Sequence, residues 1–137
     1  MHSANLGTLL RTCDAVGACL AVPPFRWVDE AVARGNTLRQ PSCVHRVGDP
    51  VRWLEKERAN GSRIVGVELA DEAIRLADLP VADRRTIMVL GHEARGIPPE
   101  ALDLLDCVVE IPMAGTGHSL NVAVAGSLVL YKLAGLV

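Results

Sequence analysis

The stretch from residue 86 to residue 122, TIMVLGHEARGIPPEALDLLDCVVEIPMAGTGHSLNV, decides the fold class. Its apolar run Thr86–Leu90 predicts a buried strand that ends at Gly91, and Cys107–Ile111 predicts a second strand. Between them, Pro98–Leu105 predicts a helix that is entered through two prolines. A helix that connects two apolar strands is typical of parallel pairing, in which both faces of the sheet are covered.

The same alternation continues outward from this stretch. Residues 71–83 are predicted to be irregular or briefly helical, and no repeat or linker interrupts the chain. The sequence therefore predicts an α/β fold in a single domain, residues 1–137, with a mostly parallel sheet and helices on both faces. Further strands are predicted at Ala18–Val22, Ser42–Val47 and Arg63–Leu69, and further helices at Asn5–Gly17, Trp27–Arg34, residues 49–61 and Leu120–Leu136.

The composition bounds the class of protein. The chain has 137 residues, of which 50% are hydrophobic and 22% are charged, with a net charge of −2. These values exclude a disordered chain, and no apolar run reaches the roughly 18 residues of a membrane span. The first residues show no signal peptide, and the four cysteines form no CxxC pair. We therefore expect a cytoplasmic protein whose cysteines are reduced, buried thiols, namely Cys13, Cys19, Cys43 and Cys107.

The small net charge conceals two unlike halves. Residues 1–63 hold nine Lys and Arg against six Asp and Glu, whereas residues 64–137 hold five against ten. The basic half is almost purely arginine, a side chain suited to bidentate contact with phosphate. A nucleic-acid-binding face and an ordinary solvated face both explain this charge pattern.

Three loops carry the character of a ligand site. They follow the predicted strands as residues 68–71, 91–97 and 112–119, and the last two are rich in glycine and polar residues. Ligands of open parallel sheets bind at the carboxyl ends of strands, where these loops begin. No GxGxxG follows the first strand, which argues against an ordinary dinucleotide site.

Three motifs occur in order along the chain. They are NLGTLLR from Asn5 to Arg11, LGHEARGIP from Leu90 to Pro98, and IPM at residues 111–113 followed by SLNV at residues 119–122. In this order and spacing they resemble the signature motifs of the SpoU/TrmH ribose 2′-O-methyltransferases of the SPOUT superfamily. The resemblance covers nearly the whole chain, and the three motifs together are far more specific than any one alone.

The resemblance implies a fold, a cofactor and partners. The fold would carry a deep C-terminal trefoil knot, a rare exception to the rule that chains are unknotted. The cofactor would be S-adenosyl-L-methionine and the partner RNA, with tRNA favoured over rRNA. The protein would be a homodimer in which Arg11 of one subunit approaches the cofactor of the other. Cofactor contacts would come from backbone groups at Val67, Leu90, Gly91, Ile111 and Met113, with Ser119 and Leu120 closing the site.

Arg11 is the residue whose chemistry matters most for ribose methylation. A ribose 2′-OH becomes a good nucleophile only as its proton leaves, so the site must stabilise an alkoxide beside an RNA phosphate. An arginine side chain with a pKa of about 12.5 or higher is seldom neutral at pH 7. We therefore favour Arg11 as phosphate anchor and alkoxide stabiliser, while the alternative role of general base stays open.

Four more residues of the motifs are candidates for catalysis. Asn5 either caps the first helix or orients its loop toward RNA, and Glu93 either holds the site together by hydrogen bonds or acts as a general base. Ser119 and Asn121 are expected to cap the last helix and to bind cofactor or ribose. His92 and His118 lie in the motif loops, but no metal site is predicted from them.

Two further expectations qualify the resemblance. Members of the family usually begin with an apolar strand before the first motif, whereas here Asn5 comes only four residues after Met1. We therefore expect either that the protein starts upstream of this Met1 or that the domain lacks its usual first strand. The alternative function is a non-catalytic RNA-binding or assembly factor that retains the fold. Loss of Arg11, Glu93, Ser119 or Asn121 would indicate that alternative, and all four are present.

Overall fold

The computed structural model describes residues 2–35 and 43–137, which form two compact units, Met1–Pro50 and Val51–Val137. None of the helices within these described ranges is long and apolar enough to cross a membrane. The predicted strand Ser42–Val47 and the predicted helix stop at Gly35-Asn36 lie partly outside the described residues.

The first unit pairs two helices with two short strands. Helix α1 spans Ser3–Val16, strand β1 Leu20–Val22, helix α2 Arg26–Gly35 and strand β2 Val44–Arg46. The two strands pair in parallel, as predicted, with Leu20 opposite Val44. Their core joins residues from three of these elements, namely Leu6, Val22, Val28 and Ala31.

Helix α1 follows its predicted apolar face. Leu6, Leu9, Leu10 and Cys13 are all buried, and α1 ends at Gly17, which has the left-handed φ of 74° that favours glycine. The interpretation of Asn5 as N-cap is wrong. His2 occupies that position, because α1 begins two residues earlier than the sequence predicts.

The expectation of four reduced, buried cysteines is wrong for two of them. Cys19 and Cys43 are exposed and form a disulfide. They directly precede β1 and β2, and the Leu20 amide donates a hydrogen bond of 2.9 Å to the Cys43 carbonyl. Parallel pairing thus brings together cysteines that no short sequence motif connects. Cys13 is free and buried, as predicted, and Cys107 is free and half-buried.

The second unit is built on a four-stranded sheet in the order β4-β6-β3-β5, with every neighbouring pair parallel. The predicted strands Thr86–Leu90, Arg63–Leu69 and Cys107–Ile111 are confirmed, the last two slightly shorter than expected. The elements are α3 (Pro50–Ala59), β3 (Arg63–Val67), β4 (Ile74–Arg75), a 3₁₀ turn (Leu76–Asp78), β5 (Thr86–Leu90), α4 (Pro99–Leu102), β6 (Cys107–Glu110) and α5 (Val122–Leu133).

Successive residues of β3 define the two cores of this unit. The Val65 side chain lies in a cluster with Val129 and Leu133 of α5. The next cluster contains Ile64 together with Leu54 of α3 and Ala101 of α4. Because side chains alternate across a strand, these clusters lie on opposite faces. Helices on both faces of a parallel sheet are therefore confirmed for this unit.

The structure departs from the predicted elements in three places. Strand β4 lies in the segment predicted to be irregular or briefly helical, where Ile74 pairs with Val109. The predicted helices Pro98–Leu105 and Leu120–Leu136 are shorter, as α4 and α5. The described residues also form two separate parallel sheets, β1-β2 and β4-β6-β3-β5. The periodicity of a sequence indicates where strands form but not which strands pair in one sheet.

Candidate functional site

Three strands of the second unit end side by side. Val67, the last residue of β3, pairs with Leu90, the last residue of β5. Val67 also pairs with Val109, which lies one residue before the end of β6. Since all three strands are parallel, the segments that follow them leave the sheet at one edge. The predicted convergence of the loops at residues 68–71, 91–97 and 112–119 is confirmed at their starting points.

The residues predicted to hold a cofactor combine apolar side chains with accessible backbone. Val67, Leu90 and Ile111 are half-buried, and every residue from 112 to 121 is exposed. Met113 and Leu120 expose 38% and 37% of their surfaces. Apolar side chains together with a few polar groups are the usual lining of a small-molecule site.

A closed turn follows β5. The His92 amide donates to the Gly96 carbonyl at 3.0 Å, and the Gly96 amide donates back to the His92 carbonyl at 2.8 Å. Inside the turn, the Ala94 amide donates to His92 Nδ1 at 3.1 Å. Gly96 has a φ of 68°, a conformation that L side chains rarely adopt. The histidine of the second motif thus shapes its own turn.

The two ends of this turn pack closely against each other. A Cβ atom on Gly91 would lie 2.6 Å from the Gly96 carbonyl carbon and 2.7 Å from the Ile97 nitrogen. The Ile97 side chain is 3% exposed and belongs to the core cluster of Leu54, Ile64 and Ala101. The turn is therefore closed by a glycine contact and anchored by a buried isoleucine.

Glu68 was predicted only as part of the loop 68–71, with no role for its side chain, and its carboxylate lies against the same turn. The Ile97 amide faces Glu68 Oε2 at 3.4 Å, at the long end of hydrogen-bond distances. The Glu68 backbone amide donates to the Val109 carbonyl at 3.1 Å. Its position could have indicated a functional role, because Glu68 is the first residue after a buried strand and ligands bind at this end of parallel strands.

Asn121 is the N-cap of α5, as predicted. Its Oδ1 accepts hydrogen bonds from the Ala123 amide at 2.9 Å and from the Val124 amide at 3.3 Å. Glu93 and Ser119, two other predicted site residues of the second unit, have exposed side chains. The structure brings their segments to the carboxyl edge of the sheet, while their roles toward a ligand stay predictions.

The predicted site residues Asn5 and Arg11 lie on α1 in the first unit. Arg11 is exposed and Asn5 is half-buried. Their spacing of six residues corresponds to about 9 Å along a helix axis. The buried face of α1 holds the helix in its unit, so that Arg11 is presented on a fixed element.

One group of three possible metal ligands occurs in the ranges 2–35 and 43–137. Its ligand atoms, from Cys19, Cys43 and His45, lie within 4.8 Å of one another. Cys43 Sγ is 3.5 Å from His45 Nε2. Both sulfurs are bonded to each other, so neither is a thiolate, the form in which cysteine binds metal. His92 and His118 do not belong to this group.

A groove of about 490 Å³ lies at the opposite edge of the sheet, where β3 and β5 begin. A salt bridge of 3.0 Å joins Arg85 and Glu57, two of the residues that line it, and Ser62 donates to the same carboxylate at 2.9 Å. The groove therefore belongs to the amino edge and not to the candidate site. Its lining residues are Glu57, Asn60, Gly61, Ser62, Arg84 and Arg85.

Comparison with known proteins agrees with the three motifs. The chain matches the model of the SpoU rRNA Methylase family over residues 1–131, and it belongs to this family. It is 30% identical over 133 residues to the tRNA (guanosine(18)-2′-O)-methyltransferase of Aquifex aeolicus, covering 93% of this chain and 62% of the relative. The Escherichia coli K12 enzyme of the same name is 36% identical, covering 93% and 56%.

Solved structures agree with the fold. A crystal structure of the Aquifex aeolicus TrmH/SpoU tRNA modifying enzyme has a TM-score of 0.82 at 28% identity, covering 99% of this chain and 70% of that one. The SpoU methyltransferase AviRb from Streptomyces viridochromogenes, in complex with AdoMet, has a TM-score of 0.77 at 29% identity, covering 98% and 56%. The chain spans about 56% to 62% of the length of the two named curated relatives.

Proposed function

We propose that this chain carries the catalytic domain of an S-adenosyl-L-methionine-dependent RNA ribose 2′-O-methyltransferase, with tRNA as its substrate. The observation that carries the proposal is the convergence of β3, β5 and β6, because it joins the second and third family motifs at one sheet edge. The family match and the two tRNA-methylating relatives support the same activity. Such a substrate also agrees with a cytoplasmic location.

The residues at this edge fit S-adenosyl-L-methionine. Adenine needs apolar contact and hydrogen bonds to its ring edge. The half-buried Leu90 ends β5, and the half-buried Ile111 follows β6 and leads into the exposed residues 112–121. When bound, the cofactor would supply the methyl group from its sulfonium. We propose that Val67, Leu90, Gly91, Ile111 and Met113 hold it by backbone and apolar contacts, with Ser119 and Leu120 at the edge of the site.

Arg11 is proposed to anchor the RNA phosphate and to stabilise the ribose alkoxide. Arg11 lies on the exposed surface of α1, where RNA can contact its side chain. A guanidinium donates in a planar fork that matches phosphate, and it keeps its charge at neutral pH. Fixing the ribose oxygen in this way reduces the entropy cost of alignment, an effect of about 7–11 kcal/mol when orientation is complete.

The other motif residues have supporting parts in the proposal. Asn121 holds the start of α5 through its cap, which fixes the neighbouring Ser119 for contact with cofactor or ribose. Glu93 is exposed in the turn after β5 and would hold the site together by hydrogen bonds. Asn5, within the first turn of α1, is proposed to orient this helix toward RNA.

Helix α5 supports the proposal of a homodimer. Of its 12 residues only Lys132 is charged, although one face already packs on the sheet. Val124 and Leu128 lie one helical turn apart and expose 46% and 40% of their surfaces. A helix that is apolar all round is usually buried on more than one side. We propose that a second copy of this chain covers the exposed side chains of Val124 and Leu128.

The trefoil knot is also proposed and agrees with the TM-score of 0.82 over 99% of the chain. A crystal structure that traces the backbone of residues 91–137 would test it directly. In a knotted chain, α5 must pass through a loop formed by the preceding segments. A path of α5 that stays outside every such loop contradicts the knot.

The activity is tested by binding and by transfer. Calorimetry with S-adenosylhomocysteine measures cofactor binding, and transfer of labelled methyl groups to a tRNA transcript measures activity. We expect binding near one ligand per chain and label on a ribose 2′-oxygen, located by resistance to alkaline cleavage. A transcript with 2′-deoxyribose at the labelled position is the matched control and is expected to accept no methyl group.

The outcomes separate the candidate functions. Binding of S-adenosylhomocysteine without transfer to any RNA contradicts the proposed reaction. Absence of binding together with RNA affinity supports the non-catalytic factor instead. Methyl label on a base contradicts ribose methylation, although S-adenosyl-L-methionine would still be the methyl donor.

A further inference from the structure

We infer that Glu68 is a positioning residue that sets the place of the cofactor-binding turn 91–97 against the end of β3. The inference rests on the proposed function and adds a residue that lies outside all three family motifs. Glu68 would act through the turn and not by touching the reacting atoms.

The carboxylate of Glu68 occupies the space over Gly96. A Cβ atom placed on Gly96 would lie 2.2 Å from Glu68 Oε1 and 3.2 Å from the carboxyl carbon. The other oxygen, Oε2, faces the Ile97 amide at 3.4 Å. The two oxygens thus contact consecutive residues of the turn. The positive φ of Gly96 favours glycine here, and a side chain at this position would displace the Glu68 carboxylate.

The backbone of Glu68 is itself held by the sheet. Its amide donates to the Val109 carbonyl of β6 at 3.1 Å, and Val67 before it pairs with Leu90. The side chain therefore starts from a fixed point between the ends of β5 and β6. Through this residue, the end of β3 contacts the turn that follows β5 and the strand β6 itself.

The turn does not need Glu68 in order to form. Two backbone hydrogen bonds between His92 and Gly96 close it, and the buried Ile97 side chain anchors it. Loss of the carboxylate leaves these contacts in place and removes the link between the turn and β3. We therefore expect a change in cofactor affinity with little change in thermal stability. A merely structural role would lower the stability instead.

The test compares three variants in the full chain. Glu68→Ala removes both contacts, whereas Glu68→Gln keeps an oxygen that accepts from Ile97 and loses only the charge. Glu72→Ala removes an exposed carboxylate four residues further on and is the control for charge alone. For each variant, the Kd for S-adenosylhomocysteine is measured by calorimetry. The Tm and the separate kcat and KM for S-adenosyl-L-methionine are measured alongside.

We expect Glu68→Ala to raise Kd and KM about tenfold, because the turn would then occupy its binding position for only about a tenth of the time. The kcat at saturating cofactor and the Tm are expected to stay near the wild-type values. Glu68→Gln should recover most of the affinity, and Glu72→Ala should match the wild type.

Unchanged Kd and KM in Glu68→Ala overturn the inference while the proposed function stands. A lower Tm with unchanged affinity in Glu68→Gln also overturns it, and this variant decides the matter if Glu68→Ala does not fold. If the wild-type chain itself fails to bind S-adenosylhomocysteine, the proposed function is overturned first. The two failures are therefore distinguishable in one set of titrations.

Discussion

The unit Met1–Pro50 pairs two three-residue parallel strands beside a disulfide, whereas the unit Val51–Val137 pairs four parallel strands between two apolar cores. Parallel strands usually need cover on both faces, and a two-stranded sheet is marginal on its own. The second unit meets this need by burial. Each fully buried aliphatic side chain, such as Ile64 or Val65, contributes about 1.5–3 kcal/mol.

The first unit has a smaller core and adds a covalent link. The Cys19–Cys43 disulfide joins residues separated by 24 positions, at the point where β1 and β2 begin. The proposed functional residues are divided in the same way. Arg11 and Asn5 belong to the first unit, and the proposed cofactor residues belong to the second. Because the proposed RNA contacts and the proposed cofactor contacts belong to different units, we expect that substitutions can perturb them separately.

The largest expected effect is on methyl transfer through the first unit. Arg11→Ala should lower kcat about 100- to 1,000-fold, as does removal of one donor to a developing oxyanion. Arg11→Lys should recover only part of the rate, because lysine cannot donate in a fork. The Kd for S-adenosylhomocysteine should not change in either variant, and titration calorimetry with single-turnover kinetics measures both quantities.

The control for Arg11 is Arg34→Ala, which removes an exposed arginine of α2 that pairs with Glu30 at 3.1 Å. We expect the wild-type rate from this variant. Near-full activity of Arg11→Lys would show that bidentate geometry is not what Arg11 supplies. A weaker affinity for S-adenosylhomocysteine in Arg11→Ala would contradict the separation of the two functions.

The second prediction concerns the disulfide. Reduction of Cys19–Cys43, or the variant Cys19→Ser, should destabilise the first unit by about 2–4 kcal/mol, because the cross-link restricts the unfolded chain. Hydrogen exchange should increase in Met1–Pro50 and not in Val51–Val137. Cys107→Ser, which alters a free cysteine of the second unit, is the control. Equal loss of protection in both units would show that they do not unfold separately.

The third prediction concerns the turn of the second unit. Gly91→Ala places a methyl group 2.6 Å from backbone atoms, so the turn must shift at a cost of about 1–3 kcal/mol. We expect weaker binding of S-adenosylhomocysteine, with the first unit unaffected. Gly48→Ala is the control, because a Cβ atom there would meet nothing within 4 Å and Gly48 lies outside the proposed cofactor site. Similar effects of both substitutions would argue against a steric cause.

The fourth prediction concerns the start of α5. Asn121→Ala removes the side-chain cap to the Ala123 and Val124 amides and should lower the free energy of unfolding by about 1 kcal/mol. Denaturant unfolding measures this change. Asn121→Asp keeps an acceptor oxygen and should restore the stability. Failure of the aspartate to do so would indicate a role beyond capping.

The smallest effect concerns the pH dependence of the first unit. Burial raises the pKa of the Cys13 thiol from 9.0 to about 11, so the folded chain favours the neutral form. Its contribution to stability is complete below pH 9 and is lost as the pH rises through 11. Denaturation curves between these values should show the decline, and Cys13→Ala should flatten it. An identical decline in the variant would assign it to another group.

Most elements of both units were predictable because their signals are local. The apolar face of α1 and the run Thr86–Leu90 require only a few neighbouring residues to be read. The short strand β4 was not predicted because it forms by pairing with β6, and Ile74 is about 35 residues from its partner Val109. The Cys19–Cys43 disulfide was not predicted for the same reason. These cysteines are 24 residues apart and meet only because β1 pairs with β2.

The residues of the candidate site also fall into those predictable from the sequence and those that only the structure reveals. The motif residues Arg11, Glu93, Ser119 and Asn121 were recognised from their order in the sequence, since that order is characteristic of the family. Glu68 was not, because its contact with Gly96 and Ile97 depends on how the end of β3 meets the turn after β5. No pattern within a single segment reports such a contact.

The sequence by itself determined the α/β class, the helical faces, the family and the residues proposed for chemistry. Helical and strand periodicities and motif spacing are properties of short segments, so they can be recognised without knowledge of the fold. Only the tertiary structure decided the two separate sheets, the disulfide, the edge strand β4 and the place of Glu68. Each of these depends on strand pairing between distant segments, where hydrogen bonding and burial choose the register.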